Sequence, residues 1–162
     1  MDKEEKHILT MLVNNVPGVT ARVSGLFASR GYNIESFCGA PTAKPEISRI
    51  TITTKTPAEQ LEQVMKQIRK LIDVVKLRDM TGEEAVKREL ALVYITFNDK
   101  NRDELFRIIQ VFNAKLVDIG KKHVIVEITD TEDRIDAFLD MTAPFGIKKV
   151  SRSGPMALYR DL

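Results

Sequence analysis

Apolar positions recur along this chain in two alternating rhythms, and they do so in the same order in each half. Residues 7–14 (His7-Ile8-Leu9-Thr10-Met11-Leu12-Val13-Asn14) read as a strand apolar on both faces, the mark of a strand covered on both sides. The spacing then becomes helical over roughly 20–30, with Val19, Val23, Leu26 and Phe27 on one stripe and Gly31 placed to end the helix. A strand is expected near 32–40. Pro41 and Pro45 bracket a loop, and a strand at 47–54 pairs back with Ile50 and Ile52 on one side. Thr56-Pro57-Ala58-Glu59 reads as a capping box with proline at the first helical position. The helix it opens carries Leu61, Val64, Met65, Ile68, Leu71 and Ile72, and a strand with Val74, Val75 and Leu77 closes the unit. The order is βαββαβ.

The periodicity lapses over 80–88, where 81–87 read as a linker or the first turns of a short helix and Glu83-Glu84 as a solvated face. The pattern then restarts. Leu90–Phe97 is a second strand apolar on both faces, and Asn101-Arg102-Asp103-Glu104 caps a helix with Leu105, Ile108, Ile109 and Phe112 on one side. Leu116–Ile119 and Val124–Ile128 form a hairpin around Gly120-Lys121-Lys122. Asp130 or Thr131 caps a helix bearing Ile135, Phe138 and Leu139, and Phe145–Val150 makes the last strand. The tail Ser151–Leu162 has no clear period. The expected fold class is therefore α+β, with domains at 1–80 and 88–162. Each would be an antiparallel four-stranded sheet with two helices on one face. The other face would leave apolar side chains in water, so pairing of domains or chains is expected, a homodimer at least.

Composition narrows the classes of function. The chain has 162 residues, 43% of them hydrophobic, so a core can form. Lys and Arg total 25 against 23 Asp and Glu, a formal charge of +2, without the clustered basic excess of a nucleic-acid binder. RNA-recognition modules share the βαββαβ order, but they need aromatics on the central strands, where this chain has Ile, Leu, Thr and Val. No apolar run reaches membrane-spanning length, and Met1–Lys6 lacks the apolar core of a signal peptide. The single cysteine, Cys38, cannot form an internal disulfide. These features predict a cytoplasmic protein with no nucleic-acid or membrane partner.

No set of residues reads as catalytic. Cys38 has no nearby histidine and fits a small buried strand residue. His7 and His123 stand alone at strand starts, with no pair at ligand spacing, so no metal site is expected. Lys121-Lys122 and Lys148-Lys149 read as solvated turns, and no glycine-rich phosphate motif occurs. The informative stretch is Asn15–Phe27. A tight strand-to-helix loop leaves backbone N–H groups unpaired, and these can take a small anionic group such as the carboxylate of a free amino acid. The same Pro17-Gly18 also suits a plain turn. Asn15 ends the first strand and Asn33 begins the second, so both can lie at one edge of a dimer. There their amides would bond the charged ends of an amino acid, with Val16, Val19 or Ile34 as an apolar wall.

Several runs are familiar. Asn15-Val16-Pro17-Gly18-Val19, Arg22–Phe27, Arg30-Gly31-Tyr32-Asn33-Ile34-Glu35-Ser36 and Ser48–Ile52 closely resemble the small, regulatory subunit of acetolactate (acetohydroxyacid) synthase. So do Lys70–Val74, Arg88-Glu89-Leu90, Asp136–Leu139 and Arg152-Ser153-Gly154, in order over nearly the whole chain. The resemblance implies an N-terminal ACT domain, a second ferredoxin-like domain, and dimerisation through the ACT sheets. It implies that valine, or sometimes leucine or isoleucine, binds between two ACT domains, with contacts carried over to Asn15, Gly18, Val19, Asn33 and Ile34. In that family the effector inhibits a separate large subunit holding thiamine diphosphate, FAD and Mg²⁺, whose activity the small subunit raises. The small subunit itself carries no catalysis and no cofactor. Thr20 departs from the pattern where an apolar residue is common, as does Cys38. The other class to weigh is a stand-alone amino-acid sensor that regulates another enzyme or transcription.

Overall fold

The structure, a computed structural model, describes residues 4–82 and 85–160. Glu83 and Glu84 of the expected linker, with residues 1–3, 161 and 162, lie outside them. The chain forms two compact units. The first comprises residues up to 86 together with those from 154 onward; the second comprises 87–153.

In the first unit the elements run β1 (Glu5–Asn14), α1 (Val19–Ser29), β2 (Ile34–Pro41), β3 (Ile47–Thr56), α2 (Ala58–Ile68) and β4 (Val74–Asp79). The sheet is antiparallel with order β2-β3-β1-β4, so β2 and β4 are its edges. Alternation along β1 sends Leu9, Met11 and Val13 into a core with Ile50, Ile52 and Leu77, closed by Val19, Val23 and Phe27 of α1 and Leu61, Val64 and Ile68 of α2. Gly31 ends α1 as expected. It takes φ +72°, and the N–H groups of Gly31 and Tyr32 donate to the carbonyls of Ala28 and Phe27, a Schellman closure. The Thr56 capping box does not form. Thr56 still belongs to β3, its hydroxyl donates to Gln60 Oε1 at 3.2 Å, and Pro57 is the N-cap.

The face of this sheet opposite the helices is less apolar than the sequence suggested. Ile8, Thr10 and Leu12 face Thr53, Thr51 and Arg49 across β3, and the Thr10 and Thr51 hydroxyls share a hydrogen bond of 3.2 Å. Part of its cover comes from the chain itself. The aperiodic tail contains β9 (Met156–Tyr159), which pairs with β5 (Ala85–Thr96), a strand whose first two residues belong to this unit. Ala157 and Tyr159 pack with Ile8, Met80 and Ala85, and a Cβ on Gly154 would fall 2.5 Å from that of Ser36. Extended structure thus begins at Ala85, inside the expected linker.

The second unit repeats the order as β5, α3 (Arg102–Val111), β6 (Lys115–Ile119), β7 (His123–Asp130), α4 (Glu132–Gly146) and β8 (Ile147–Arg152), with strands ordered β6-β7-β5-β8. Ala91, Val93, Ile95, Val124, Val126 and Ile128 meet Leu105, Ile108 and Ile109 of α3 and Ile135 and Phe138 of α4. The last strand starts two residues later than expected because α4 runs through Pro144 to Gly146. The Thr96 hydroxyl there donates to the carbonyls of Phe145 and Gly146 at 3.2 and 2.9 Å, satisfying the helix end. Arg152 grips the buried Glu89 with two bonds of 2.8 Å and reaches Asp136 at 2.6 Å. Hydrogen bonding to Glu89 holds the Arg152 guanidinium well above its ordinary range against the opposing effect of burial, with Asp136 adding to it.

Candidate functional site

The β1–α1 loop is held from three sides. The Asn14 N–H donates to the Asp73 carbonyl and the Asn15 N–H to the Glu46 carbonyl, both at 2.8 Å. The Asn15 side chain donates through Nδ2 to the Pro45 carbonyl at 2.9 Å, leaving Oδ1 as an acceptor. Gly18 is the N-cap of α1 at φ +85°, a region costly for residues with a Cβ, and no side chain caps the helix. The first turn carries no acidic residue, so the positive end of the helix dipole is not offset locally. Arg22, one turn in, donates to Asp73 Oδ2 through Nε and Nη2 at 3.0 and 2.6 Å. Its Nη1 would lie 2.9 Å from a Cβ at Gly18.

Beside this loop lies a cavity of about 240 Å³. Asn15, Val16, Val19 and Thr20 line one side, with Phe37 and Ser48 among the strand residues opposite. Val19 also belongs to the buried core, so it serves as floor rather than as a free wall, whereas Val16 is half exposed. The departure at Thr20 therefore falls on the lining of the cavity.

Asn33 and Ile34 are elsewhere. Ile34 pairs with Thr54 at the start of β2, whereas the β1–α1 loop adjoins the end of β2, where Pro41 pairs with Ser48. Seven residue steps at about 3.3 Å put these ends roughly 23 Å apart. Asn33 donates to Glu35 Oε1 at 3.1 Å, and its carbonyl accepts from the Thr54 hydroxyl at 2.7 Å. One chain thus brings Asn15, Gly18 and Val19 together, and sets Asn33 and Ile34 at the far end of the same edge strand. The Arg22–Asp73 pair, which braces the loop, went unread in the sequence because its members are 51 residues apart and follow no period.

The residues set aside on sequence take structural places. Cys38 is half-buried on β2 opposite Thr51. His7 is buried with Nε2 at 3.0 Å from the Thr56 carbonyl, and His123 stacks on Tyr94 at 4.8 Å between ring centres. Among the described residues no group of three His, Cys, Asp or Glu side chains could hold a metal ion, and no helix is long and apolar enough to cross a membrane.

Two family profiles match the chain. The AHAS small subunit-like ACT domain matches residues 9–76, and the small subunit of acetolactate synthase matches 88–161. A probable acetolactate synthase small subunit of Archaeoglobus fulgidus is 40% identical over 155 residues, 96% of this chain and 97% of that one. The acetolactate synthase small subunit of Aquifex aeolicus is 42% identical over 158 residues, 97% of this chain and 82% of that one. The crystal structure of the small subunit from Thermotoga maritima superposes with a TM-score of 0.87 at 34% identity, covering 98% of this chain and 99% of its own. With both halves of the chain matched in order and a relative alike along nearly its full length, the chain belongs to the family of acetolactate synthase small subunits.

Proposed function

We propose that this chain is the non-catalytic regulatory subunit of acetolactate synthase. It activates a separate large subunit and makes that subunit sensitive to valine, in the synthesis of valine, leucine and isoleucine. The observation that carries the reading is the separation of Asn15 and Gly18 from Asn33 along one edge strand. Among the described residues the outer edge of β2 is unpaired within the sheet. A two-fold axis beside it would pair β2 with its copy antiparallel, joining two sheets. Antiparallel pairing superposes the start of one β2 on the end of the other. Each Asn15–Gly18–Val19 group then meets the partner chain's Asn33–Ile34 group, and the homodimer holds two equivalent sites.

In each site the amino acid's carboxylate meets the uncapped N–H groups of α1, where the dipole and Arg22 favour negative charge. Its ammonium group meets the Asn15 Oδ1, and its branched side chain lies against Val16 and Ile34. Valine bridges two chains, so it biases how they pair, and the large subunit reads that bias through contacts it makes in one arrangement and not the other. Such coupling is typically ~1–3 kcal/mol. Thiamine diphosphate, FAD and Mg²⁺ belong in this reading to the large subunit, in the cytoplasm. The test is to mix the chain with its cognate large subunit and follow acetolactate formation with and without valine. The rate should rise on mixing and fall with valine; a rate indifferent to the chain would refute the assignment.

A further inference from the structure

The first sheet carries a second concavity, on the face turned away from α1 and α2, which the effector site does not use. Strand register decides what borders it. Leu12 lies between Arg49 on β3 and Lys76 on β4, and Thr10 lies between Thr51 and Arg78, so these side chains share one face. Leu158 and Tyr159 of the returning tail wall the cavity, whose volume is about 100 Å³. That is well above the roughly 10–15 Å³ that one water needs on such a measure, and leaves room for a compact ion.

The charge here is one-sided. Among the described residues, Arg49, Lys76 and Arg78 border the cavity and no carboxylate does. Neither Arg49 nor Lys76 has an ion pair or side-chain hydrogen bond among the described residues. The Arg78 guanidinium lies 4.7 Å above the Tyr159 ring, fastening the tail to the sheet. Since β3 and β4 flank β1, the backbones carrying Arg49 and Lys76 stand about 9–10 Å apart. Side chains of that length, rising from both sides of Leu12, can close on one anion between them. The like charges of Arg49 and Lys76, on either side of the apolar Leu12, repel one another, and an oxyanion turns that repulsion into attraction. We propose that this cavity binds a compact dianionic oxyanion, either inorganic phosphate or the phosphate group of a small metabolite. Arg49 and Lys76 grip it while Arg78 and Tyr159 hold the tail over it. This second ligand site is distinct from the amino-acid site at the β1–α1 loop.

The test is calorimetry on the full chain with inorganic phosphate, at an ionic strength held constant with chloride. Saturable binding is expected. It should weaken at least about tenfold in Arg49→Gln and again in Lys76→Gln, the usual consequence of losing a bond between charged groups. Lys121→Gln, on an exposed turn of the second unit, should bind as the parent does. Phenyl phosphate separates the sources: tighter binding than phosphate assigns an organic phosphate resting on Leu12 and Leu158, and equal binding assigns the free ion. Absence of saturable uptake, or equal uptake by folded Arg49→Gln and Lys76→Gln, overturns the proposal. So does binding of a polyglutamate peptide in place of phosphate, which would make the face a dock for an acidic protein segment.

Discussion

Mixing two single-residue variants tests whether the effector site is shared between chains. Gly18→Asp acts at the β1–α1 loop. The left-handed φ of +85° disfavours any Cβ by about 1–2 kcal/mol, and the new carboxylate would sit against Arg22 and the N–H groups proposed above to take valine's carboxylate. Asn33→Ala acts roughly 23 Å away at the other end of β2. Losing one bond to a charged ligand group there costs about 1.5–3 kcal/mol, or some ten- to hundredfold in affinity. Each variant alone should bind valine poorly. In an equal mixture about half the dimers are mixed, and each mixed dimer contains one site with both lesions and one with neither. Calorimetry should therefore recover parental affinity at about a quarter of the parental stoichiometry. If each site lay within one chain, every site in the mixture would keep a lesion. Absence of a high-affinity class, with subunit exchange verified by native mass spectrometry, would refute the shared site.

Arg152→Ala should cost about 3–5 kcal/mol in a denaturant titration, toward the lower end because the arginine is partly exposed, since it strands the Glu89 carboxylate, only 2% exposed. Adding Glu89→Leu should restore most of it, and a single-variant loss under ~1 kcal/mol would mean that the pair is solvated. Thr96→Val should lower stability by about 1–2 kcal/mol in thermal melts, because the carbonyls of Phe145 and Gly146 lose their donor. Ending the chain at Ser153 removes Ala157 and Tyr159 from Ile8 and Met80, so the melting temperature should fall and binding of an apolar dye should rise; an unchanged melt would show the tail to be ornamental.

Where contacts are local, the fold could be read before it was seen. Leu9, Met11 and Val13 announce a strand face, and Val19, Val23 and Phe27 a helix face, by spacing alone. The Schellman closure at Gly31 is likewise a matter of six neighbouring residues. Reading failed where a distant group decides. Thr56 has the residue types of a capping box, yet pairing with Glu5 on β1 keeps it in the sheet. Phe145 reads as the start of the last strand, yet it belongs to α4, whose end is bonded by Thr96, 49 residues before Phe145. The grouping of Asn15 with Gly18 was legible because one loop carries both. The distance from Asn15 to Asn33 was not, because it depends on the direction in which β2 runs against β3.

The return of residues 154–160 to the first unit makes the second unit an insertion within it. On the ribosome, then, the half that begins first finishes last. Its helices can close over Leu9 and Met11 as soon as residue 80 emerges, but Ile8, Thr10 and Met80 wait on their other side for 70 or so further residues, several seconds at common rates of synthesis. In that interval the nascent chain displays more of a β-sheet face that the finished chain covers in part, a hazard for aggregation. The threonines at 10, 51 and 53, where valine or isoleucine would also suit a strand, leave that face hydroxyl-lined and less adhesive while it waits.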